Sequence, residues 1–315
     1  MNRHSVLIVN KMHKSIVPLL EGLGLKVNYQ PNISREETLN IIQDYFGIVV
    51  RSKLNLDSEF FTKAHSLKFI ARAGAGLDQI DLNEVQKRDI EVFNAPEGNK
   101  DALAEHSIGL MLSLLHKIVK SDNEIRQGKW LREDNRGFEL NTKTVGVIGF
   151  GHMGRAFAEK LIGFGCSVVT FDIKPSLDLP SHVKKVSWEE FTQKCDIVSL
   201  HVPLSDKNMY LVDHAWINEF RKNIWLINTS RGKVVKLEDL IKNLDSGKVK
   251  GAALDVLENE KFNSLSDSEK AILQDLVNRN NTILTPHVGG WSSESYSRIN
   301  EVLASKIENF LLQYG

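Results

Sequence analysis

The chain has 315 residues, of which 42% are hydrophobic and 25% charged, a composition typical of a folded globular protein with room for two domains. Lysine and arginine (40) balance aspartate and glutamate (40), so there is no electrostatic reason to expect binding to nucleic acid or to a membrane surface. The N-terminus lacks a signal-peptide pattern, no apolar run could span a bilayer, and the two cysteines lack metal-ligand spacing. We therefore expect a cytoplasmic protein without a metal.

The N-terminal part of the chain alternates between strand and helix patterns. Ser34 followed by Glu37 is a capping box, which marks one helix start. Helices are otherwise predicted over 14–23 and 57–64, and strands over 5–10, 26–29, 47–51, 68–71 and 90–94. Such alternation indicates a parallel sheet, so this part is expected to form a small α/β domain.

A long helix is predicted over 102–126, with a first half that is apolar almost all round. Two interpretations stay open: a core helix between two domains, or a helix that also packs against a second subunit. Trp130 and Phe138 in the following segment suit an arm laid over a partner. We therefore expect a homodimer.

The stretch 144–172 has the pattern of a dinucleotide-binding unit. A β-branched strand over 144–148 leads into a turn with Gly149, Gly151 and Gly154, and a helix over 155–164 follows. Gly149 permits the tight turn, Gly151 lets the backbone approach a pyrophosphate, and Gly154 lets the helix pack closely on the strand. The start of the helix offers N–H groups and partial positive charge to the phosphates.

Asp172 follows the next predicted strand, 167–171, where a carboxylate can accept hydrogen bonds from ribose hydroxyls and repel a 2′-phosphate. This favours NAD, although Lys174 could tolerate the additional phosphate of NADP.

The remaining patterns continue the alternation as far as a final helix over 292–314. Strands are predicted over 197–202, 224–228, 251–256 and 282–285, with a helix over 236–246. The last helix returns the chain toward the first domain, with hinges expected near 95–101 and 287–291. We predict an α/β protein of two doubly wound parallel-sheet domains: a flavodoxin-like substrate domain (1–97 and 290–315) and a Rossmann NAD-binding domain (98–289).

A nicotinamide enzyme for hydroxy acids needs a cation for the carboxylate, a proton-exchange group and a group that sets its pKa. Arg231 follows the strand 224–228, and His287 follows the strand 282–285. Glu260 lies between them in the sequence. Loops after the strands of such sheets are where these folds bind ligands.

Eight motifs together resemble the D-isomer-specific 2-hydroxyacid dehydrogenases, in particular the D-3-phosphoglycerate dehydrogenase branch. Besides the glycine fingerprint, they are RAGAGLD at 72–78, NAP at 94–96, AEHSIGL at 104–110, HVPL at 201–204, NTSRG at 228–232, ALDV at 253–256 and TPH at 285–287. The resemblance covers nearly the whole chain.

The resemblance implies a role for each matching residue. His287 would be the acid/base, Glu260 would orient its imidazole and favour the protonated form, and Arg231 would bind the substrate carboxylate. Asp255 would bind the nicotinamide amide. Cofactor-binding residues would be Gly149, Gly151, His152, Met153, Gly154, Asp172, His201, Val202, Pro203, Thr229, Ser230, Asp255 and Gly289. The backbone N–H groups of Gly74, Ala75 and Gly76 would bind the same substrate carboxylate. Independently of the resemblance, Arg51, Ser52 and Arg72 are candidate substrate-binding residues because they lie at the ends of predicted strands.

One departure from the family pattern concerns the acid. In the family this glutamate is normally followed by proline, but here Lys261 follows Glu260 and a long polar stretch comes after it. Glu258 is therefore a competing candidate. His106 is interpreted as structural.

Substrate identity rests on cations near the ends of strands. Arg51, Lys53 and Arg72 would suit a phosphorylated acid, or they form only a solvated basic rim. We expect oxidation of 3-phosphoglycerate to 3-phosphohydroxypyruvate, the entry to serine biosynthesis. A glyoxylate or hydroxypyruvate reductase is the alternative, and a non-catalytic NAD(H)-sensing protein uses the same fold. Because the sequence ends at Gly315, we expect no serine feedback through an added domain.

Overall fold

The computed structural model describes residues 4–314. The chain forms two compact units: unit 1 comprises Met1–Lys100 and Gly290–Gly315, and unit 2 comprises Asp101–Gly289. The assignment of these units as substrate domain and cofactor domain stays a prediction at this point.

Unit 1 contains a five-stranded sheet in the order β2-β1-β3-β4-β5, with every pairing parallel. This is the strand order of flavodoxin-like folds. The strands are β1 (Ser5–Ile8), β2 (Lys26–Tyr29), β3 (Gly47–Val50), β4 (Phe69–Arg72) and β5 (Glu91–Asn94). The helices are α1 (Ile16–Gly22), α2 (Arg35–Ile41), α3 (Ser58–Lys63), α4 (Leu82–Lys87) and α12 (Ser293–Tyr314).

Successive residues of each strand point to opposite sides of this sheet, and helices pack on both sides. Leu7 and Ile48 belong to one buried cluster, whereas Ile8 and Val49 belong to another that includes Leu303 of α12. Both faces of the strands are therefore buried, which explains their continuous apolar runs.

Unit 2 contains a seven-stranded sheet in the order β12-β11-β10-β9-β6-β7-β8, again parallel throughout. This is the Rossmann order extended by one strand, and the order reverses between β6 and β9. The strands are β6 (Thr144–Ile148), β7 (Ser167–Phe171), β8 (Val183–Lys185), β9 (Ile197–Leu200), β10 (Ile224–Asn228), β11 (Val249–Leu254) and β12 (Thr282–Leu284). The helices are α5 (Pro96–Leu115), α6 (Ile118–Arg126), α7 (His152–Lys160), α8 (Trp188–Lys194), α9 (His214–Asn218), α10 (Leu237–Asp245) and α11 (Asp267–Asn278). The first residues of α5, 96–100, belong to unit 1.

The predicted α/β class, with two doubly wound parallel sheets, is confirmed. The capping box at Ser34 is present as well, since Glu37 N donates to Ser34 Oγ and Ser34 N donates to Glu37 Oε2. Five elements were not predicted from the sequence, and all of them are short or weakly amphipathic: β8, α4, α8, α9 and α11. Of these, α11 lies in the polar stretch after Glu260 and begins at a second capping box, Ser266 with Glu269.

The prediction of one continuous helix over 102–126 was wrong, because the chain forms two helices there and the first begins earlier than predicted. The helix already starts at Pro96, a residue suited to the first helical position, so the expected hinge at 95–101 is mostly helical. Gly98 fits this start because a Cβ there would lie 2.7 Å from the backbone of Ile299. The helix then breaks before Ile118, where Lys117 adopts a left-handed conformation with φ 54°.

Tertiary contacts account for this break, since neither glycine nor proline is present there. Phe138 N donates to Leu115 O, and a Cβ on Gly137 would lie 2.9 Å from His116 Cα, so the returning chain packs against the end of α5. Phe138 also packs edge-on against Trp225 of the same chain at 5.1 Å. Phe138 is thus partly used within its own unit, whereas Trp130 is 82% exposed.

Across residues 4–314, no helix taken singly has the length and apolarity needed to cross a membrane. The pair Pro96–Leu115 and Ile118–Arg126 reaches that length and composition only when both are counted together, across a bend of 62°.

Gly154→Ala is expected to destabilise unit 2. A Cβ at this position would lie 2.0 Å from Gly149 O and 3.1 Å from Val147 Cγ1, and the closer atom is backbone that cannot rotate away. Such overpacking costs about 1–3 kcal/mol, which urea unfolding of the full chain would measure. Gly109→Ala is the control, because that helical glycine has open space around it. Equal stability of wild type and Gly154→Ala would contradict the close packing of α7 on β6.

Candidate active site

In the glycine turn after β6, a side chain would have space at Gly151 but none at Gly149 or Gly154. Gly149 has φ 85°, and a Cβ on it would lie 2.6 Å from His201 O. Around Gly151, by contrast, no described atom lies within 4 Å of a Cβ. Gly151 is the N-cap of α7 and has no side chain to bond the first N–H groups of that helix. The start of α7, with exposed His152 and half-buried Met153, is therefore an uncapped anion site that fits a pyrophosphate.

Asp172 lies beside this turn after β7. Its Oδ2 accepts from Phe150 N at 2.6 Å, and its Oδ1 accepts from Lys174 N at 2.7 Å. The carboxylate is thus fixed near the glycine turn, where the sequence analysis expected a ribose. These residues fit a dinucleotide with free ribose hydroxyls.

The segment after β9 forms the other side of the glycine turn. His201 Nε2 lies 2.9 Å from Ser199 Oγ, and the imidazole packs against Phe157 with ring centroids 5.1 Å apart. Burial lowers the pKa of His201 to about 3, so its imidazole stays neutral and shapes the loop without exchanging protons near neutral pH. Val202 also adjoins Gly149, and Pro203 is exposed.

Thr229 and Ser230 follow β10 and are both buried. Thr229 Oγ1 lies 2.9 Å from Ser107 Oγ, and Ser230 Oγ donates to Asn228 Oδ1 at 2.8 Å. Each hydroxyl thus has one hydrogen-bond partner within the protein and keeps the capacity to accept a further bond.

The three predicted catalytic side chains follow three adjacent strands of one sheet. Arg231 follows β10, Glu260 follows β11 and His287 follows β12, and these strands are neighbours in the sheet. Glu260 Oε2 lies 2.9 Å from His287 Nδ1, and both side chains are close to half exposed. Arg231 is half-buried, and its Nη1 donates to Ser230 O at 2.7 Å.

The geometry distinguishes the two candidate acids. Glu258 Oε1 accepts from Leu237 N, at the start of α10, and its Oε2 accepts from the Tyr210 hydroxyl. Glu258 therefore serves as a helix cap. With Glu260 on Nδ1, the Nε2 atom is the ring nitrogen left to face a ligand.

Asp255, which is 1% exposed, fixes the loop that contains His287. Its Oδ1 accepts from the Thr285 hydroxyl at 2.6 Å and from Val288 N at 2.9 Å, and its Oδ2 accepts from Gly289 N at 2.7 Å. Burial acts to raise the pKa of Asp255, but hydrogen bonds from His106, Thr285 and the two backbone groups outweigh it and lower this pKa. The carboxyl therefore stays ionised, and it anchors the loop in addition to any bond with a ligand.

His106 of α5 completes this network. Its Nε2 lies 3.1 Å from Thr285 Oγ1 and 3.3 Å from Asp255 Oδ1. The sequence analysis interpreted His106 as structural and assigned it no partner, because the two loops are far from it along the chain. Only the fold shows that it supports the site.

In unit 1 the predicted substrate residues lie at the ends of β3 and β4. The Arg51 guanidinium stacks on Trp291 at 3.6 Å, and among the described residues it makes no ion pair. Burial lowers the pKa of Arg51. The role of Trp291 was missed, since the sequence analysis placed it only at a hinge. Ser52 beside it is exposed.

The glycine turn of unit 1 is held by its neighbours. Arg72 folds back over Gly74, so that a Cβ there would lie 1.7 Å from Arg72 Nη1, and Gly74 has φ 138°. Asn94 Nδ2 donates to Ala75 O at 2.7 Å, while Ala75 and Gly76 are half-buried. Residues 4–314 contain no group of three or more histidine, cysteine, aspartate or glutamate side chains that could hold a metal.

Comparison with known proteins identifies the family. A model described as "D-isomer specific 2-hydroxyacid dehydrogenase, NAD binding domain" matches residues 108–289. A hydroxypyruvate reductase from Thermotoga maritima is 32% identical over 98% of this chain and 98% of its own length. D-3-phosphoglycerate dehydrogenases from Archaeoglobus fulgidus and Homo sapiens are also 32% identical over 96% of this chain, which spans only 56% of their length.

Solved structures agree. D-lactate dehydrogenase from Aquifex aeolicus, complexed with NAD and lactic acid, is 26% identical and has a TM-score of 0.83 over 98% of this chain and 96% of its own. A glyoxylate reductase from Paecilomyes thermophila, 24% identical with a TM-score of 0.86 over 98% and 95%, shares the fold. The chain therefore belongs to the D-isomer-specific 2-hydroxyacid dehydrogenases, a family of NAD-dependent oxidoreductases.

Proposed function

We propose that this protein oxidises 3-phosphoglycerate to 3-phosphohydroxypyruvate with NAD, or runs the reverse reaction, at the entry to serine biosynthesis. The observation that carries the chemistry is the Glu260–His287 pair, with 2.9 Å between Oε2 and Nδ1. Arg231 follows β10, which lies in the same sheet next to β11. The residue proposed to bind the substrate carboxylate and the proposed acid/base therefore come from loops at the same edge of the sheet.

The roles follow from the chemistry of these side chains. His287 takes the proton of the substrate hydroxyl during oxidation and returns it during reduction, through Nε2. Glu260 stabilises the imidazolium that forms and fixes its tautomer. Arg231 binds the substrate carboxylate with its planar array of donors. Gly151, Asp172 and the start of α7 would hold the nicotinamide cofactor, which would accept the hydride as NAD⁺ during oxidation and supply it as NADH during reduction.

Arg51 supports a phosphorylated substrate. Its guanidinium face rests on the indole of Trp291, which leaves the N–H donors at its edge available to an anion. The other basic residue beside it, Lys53, donates to Ile33 O and Pro31 O and so acts within its own loop. Arg51 thus offers the more available charge for a phosphate.

A hydroxypyruvate reductase is the second candidate. It is favoured by the Thermotoga maritima relative, which matches this chain over 98% of both lengths. In that reaction Arg51 has no phosphate to bind. A third possibility on this fold, a protein that senses NAD(H) without catalysis, predicts tight NADH binding and no turnover of any 2-keto acid.

The proposal includes a homodimer in the cytoplasm. Several apolar side chains on α6 and the segment after it are exposed in the single chain, which suits burial against a second copy. They are Ile118, Val119, Ile125, Trp130, Leu131 and Phe138.

His287→Gln should abolish turnover and leave NADH binding nearly intact. Loss of a positioned proton-transfer group costs about 10²–10⁴-fold in kcat. Steady-state kinetics on 2-keto acids and an NADH fluorescence titration measure the two effects. His182→Gln is a matched control, since within residues 4–314 that imidazole bonds only Ala158 O, at 2.9 Å. Turnover that survives in His287→Gln would remove this residue from the mechanism.

Gly151→Ala should weaken NADH binding at unchanged stability. The new methyl group meets no described atom, so the fold accepts it, but it fills the space that a pyrophosphate needs. We expect about a tenfold or greater rise in the NADH dissociation constant by fluorescence titration, with an unaltered urea midpoint. If affinity is unchanged, the pyrophosphate does not lie over this glycine.

Arg51→Gln should separate the two substrate candidates. A charge-assisted bond is worth about 1.5–3 kcal/mol, so kcat/KM on 3-phosphoglycerate should fall about 10- to 100-fold. On D-glycerate, which has no phosphate, it should change little. Arg35→Gln is the control, because Asp57 and Glu59 already neutralise Arg35. If wild type uses both acids equally well, the phosphate assignment fails and the reductase is favoured.

A further inference from the structure

The segment that contains Glu260 lacks regular structure. Neither a strand nor a helix covers the chain between Leu254, the end of β11, and the short 3₁₀ turn Phe262–Ser264. Lys261 follows Glu260, so no proline ring restrains the main chain on that side of the carboxylate. The Glu260 side chain is also 45% exposed, so packing alone does not fix it.

Asn259 provides an alternative restraint on both sides of Glu260. Its Oδ1 accepts from Lys261 N at 3.0 Å, which closes a turn around Glu260. Its Nδ2 donates to Glu269 Oε1 at 2.9 Å, which ties the segment to the first turn of α11. Lys261 O in turn accepts from Ser264 N at 2.9 Å. The main chain on either side of the carboxylate is thus held.

Glu269 is itself anchored. Its Oε2 accepts from Ser266 N at 2.7 Å, and its own N–H donates to Ser266 Oγ, which forms the capping box of α11. The hydrogen bond from Ser266 N lowers the pKa of Glu269 most, and the bond from Asn259 adds to this effect. Glu269 therefore stays ionised and can accept both bonds. Leu276 of α11 is fully buried in the core of unit 2, so the helix is a fixed support.

We propose that Asn259 is a positioning residue that sets Glu260 against His287, with α11 as its support. This inference rests on the proposed roles of Glu260 and His287. It also gives a purpose to the polar stretch after Glu260: the helix and its capping box anchor the segment that contains the carboxylate. Asn259 touches no reacting atom, so its loss should lower kcat more than it changes KM or NADH affinity.

The test is a double-mutant cycle of Asn259→Ala with Glu260→Gln, measured on the best 2-keto acid substrate. In the wild-type background Asn259→Ala should lower kcat about 5- to 50-fold, since small misplacements of catalytic groups have effects of that order. In the Glu260→Gln background it should change kcat less than about twofold, because the group it positions is already gone. Asn259→Ser, which keeps a short acceptor but cannot reach Glu269, should lie between wild type and Asn259→Ala.

Asn263→Ala is the control, since Asn263 is exposed on the adjacent turn. It should behave as wild type. Crystal structures of Asn259→Ala and the control give a readout that needs no turnover. The Oε2–Nδ1 distance, 2.9 Å here, should persist in the control and exceed about 3.5 Å in Asn259→Ala.

Three results would overturn the positioning role: equal losses in both backgrounds, a wild-type kcat for Asn259→Ala, or an unchanged Glu260–His287 distance in its crystal structure. A failure of the proposed function looks different, because the wild-type protein would then turn over no 2-keto acid. The crystallographic distance still decides the role of Asn259 in that case.

Discussion

The buried carboxylate of Asp255 is the constraint on which the site depends. It lies at the end of β11, yet its hydrogen-bond donors come from the loop after β12 and from His106 of α5. A buried charge without such donors is very costly. A rearrangement of the loop that contains His287 would leave the Asp255 carboxylate buried without its hydrogen-bond donors, which opposes such a rearrangement. The acid/base of the proposed reaction is therefore held by an interaction that is electrostatic in origin.

Sheet geometry provides the second level of control. Asn228 of β10 is in register with Leu254 of β11, which is in register with Leu284 of β12. The three strands therefore end at the same edge of the sheet, and the loops that contain Arg231, Glu260 and His287 start from that edge. Parallel pairing thus gathers loops that are far apart along the sequence, and the Glu260–His287 hydrogen bond forms between two of them.

The features that could be predicted are those with local causes. Glycines at 149, 151 and 154, the capping box at Ser34 and the buried apolar strands each follow from backbone or hydrophobic patterns of a few residues. What the sequence analysis missed depends on contacts between distant segments. The break at Lys117 depends on contacts with residues 137–138. The partners of His106 lie in loops far along the chain. The stacking of Arg51 on Trp291 connects the two chain segments that form unit 1. Glu260 and Glu258 have the same chemistry, and only hydrogen bonds to α10 and to His287 distinguish them.

The backbone of His287 has φ 56°, a left-handed conformation that costs a residue with a Cβ about 1–2 kcal/mol. Glycine would adopt it freely, and asparagine more readily than most residues. Selection for thermal robustness alone would accordingly push this position toward residues that have no imidazole. The proposed acid/base thus occupies a position whose backbone conformation favours residues that have no imidazole.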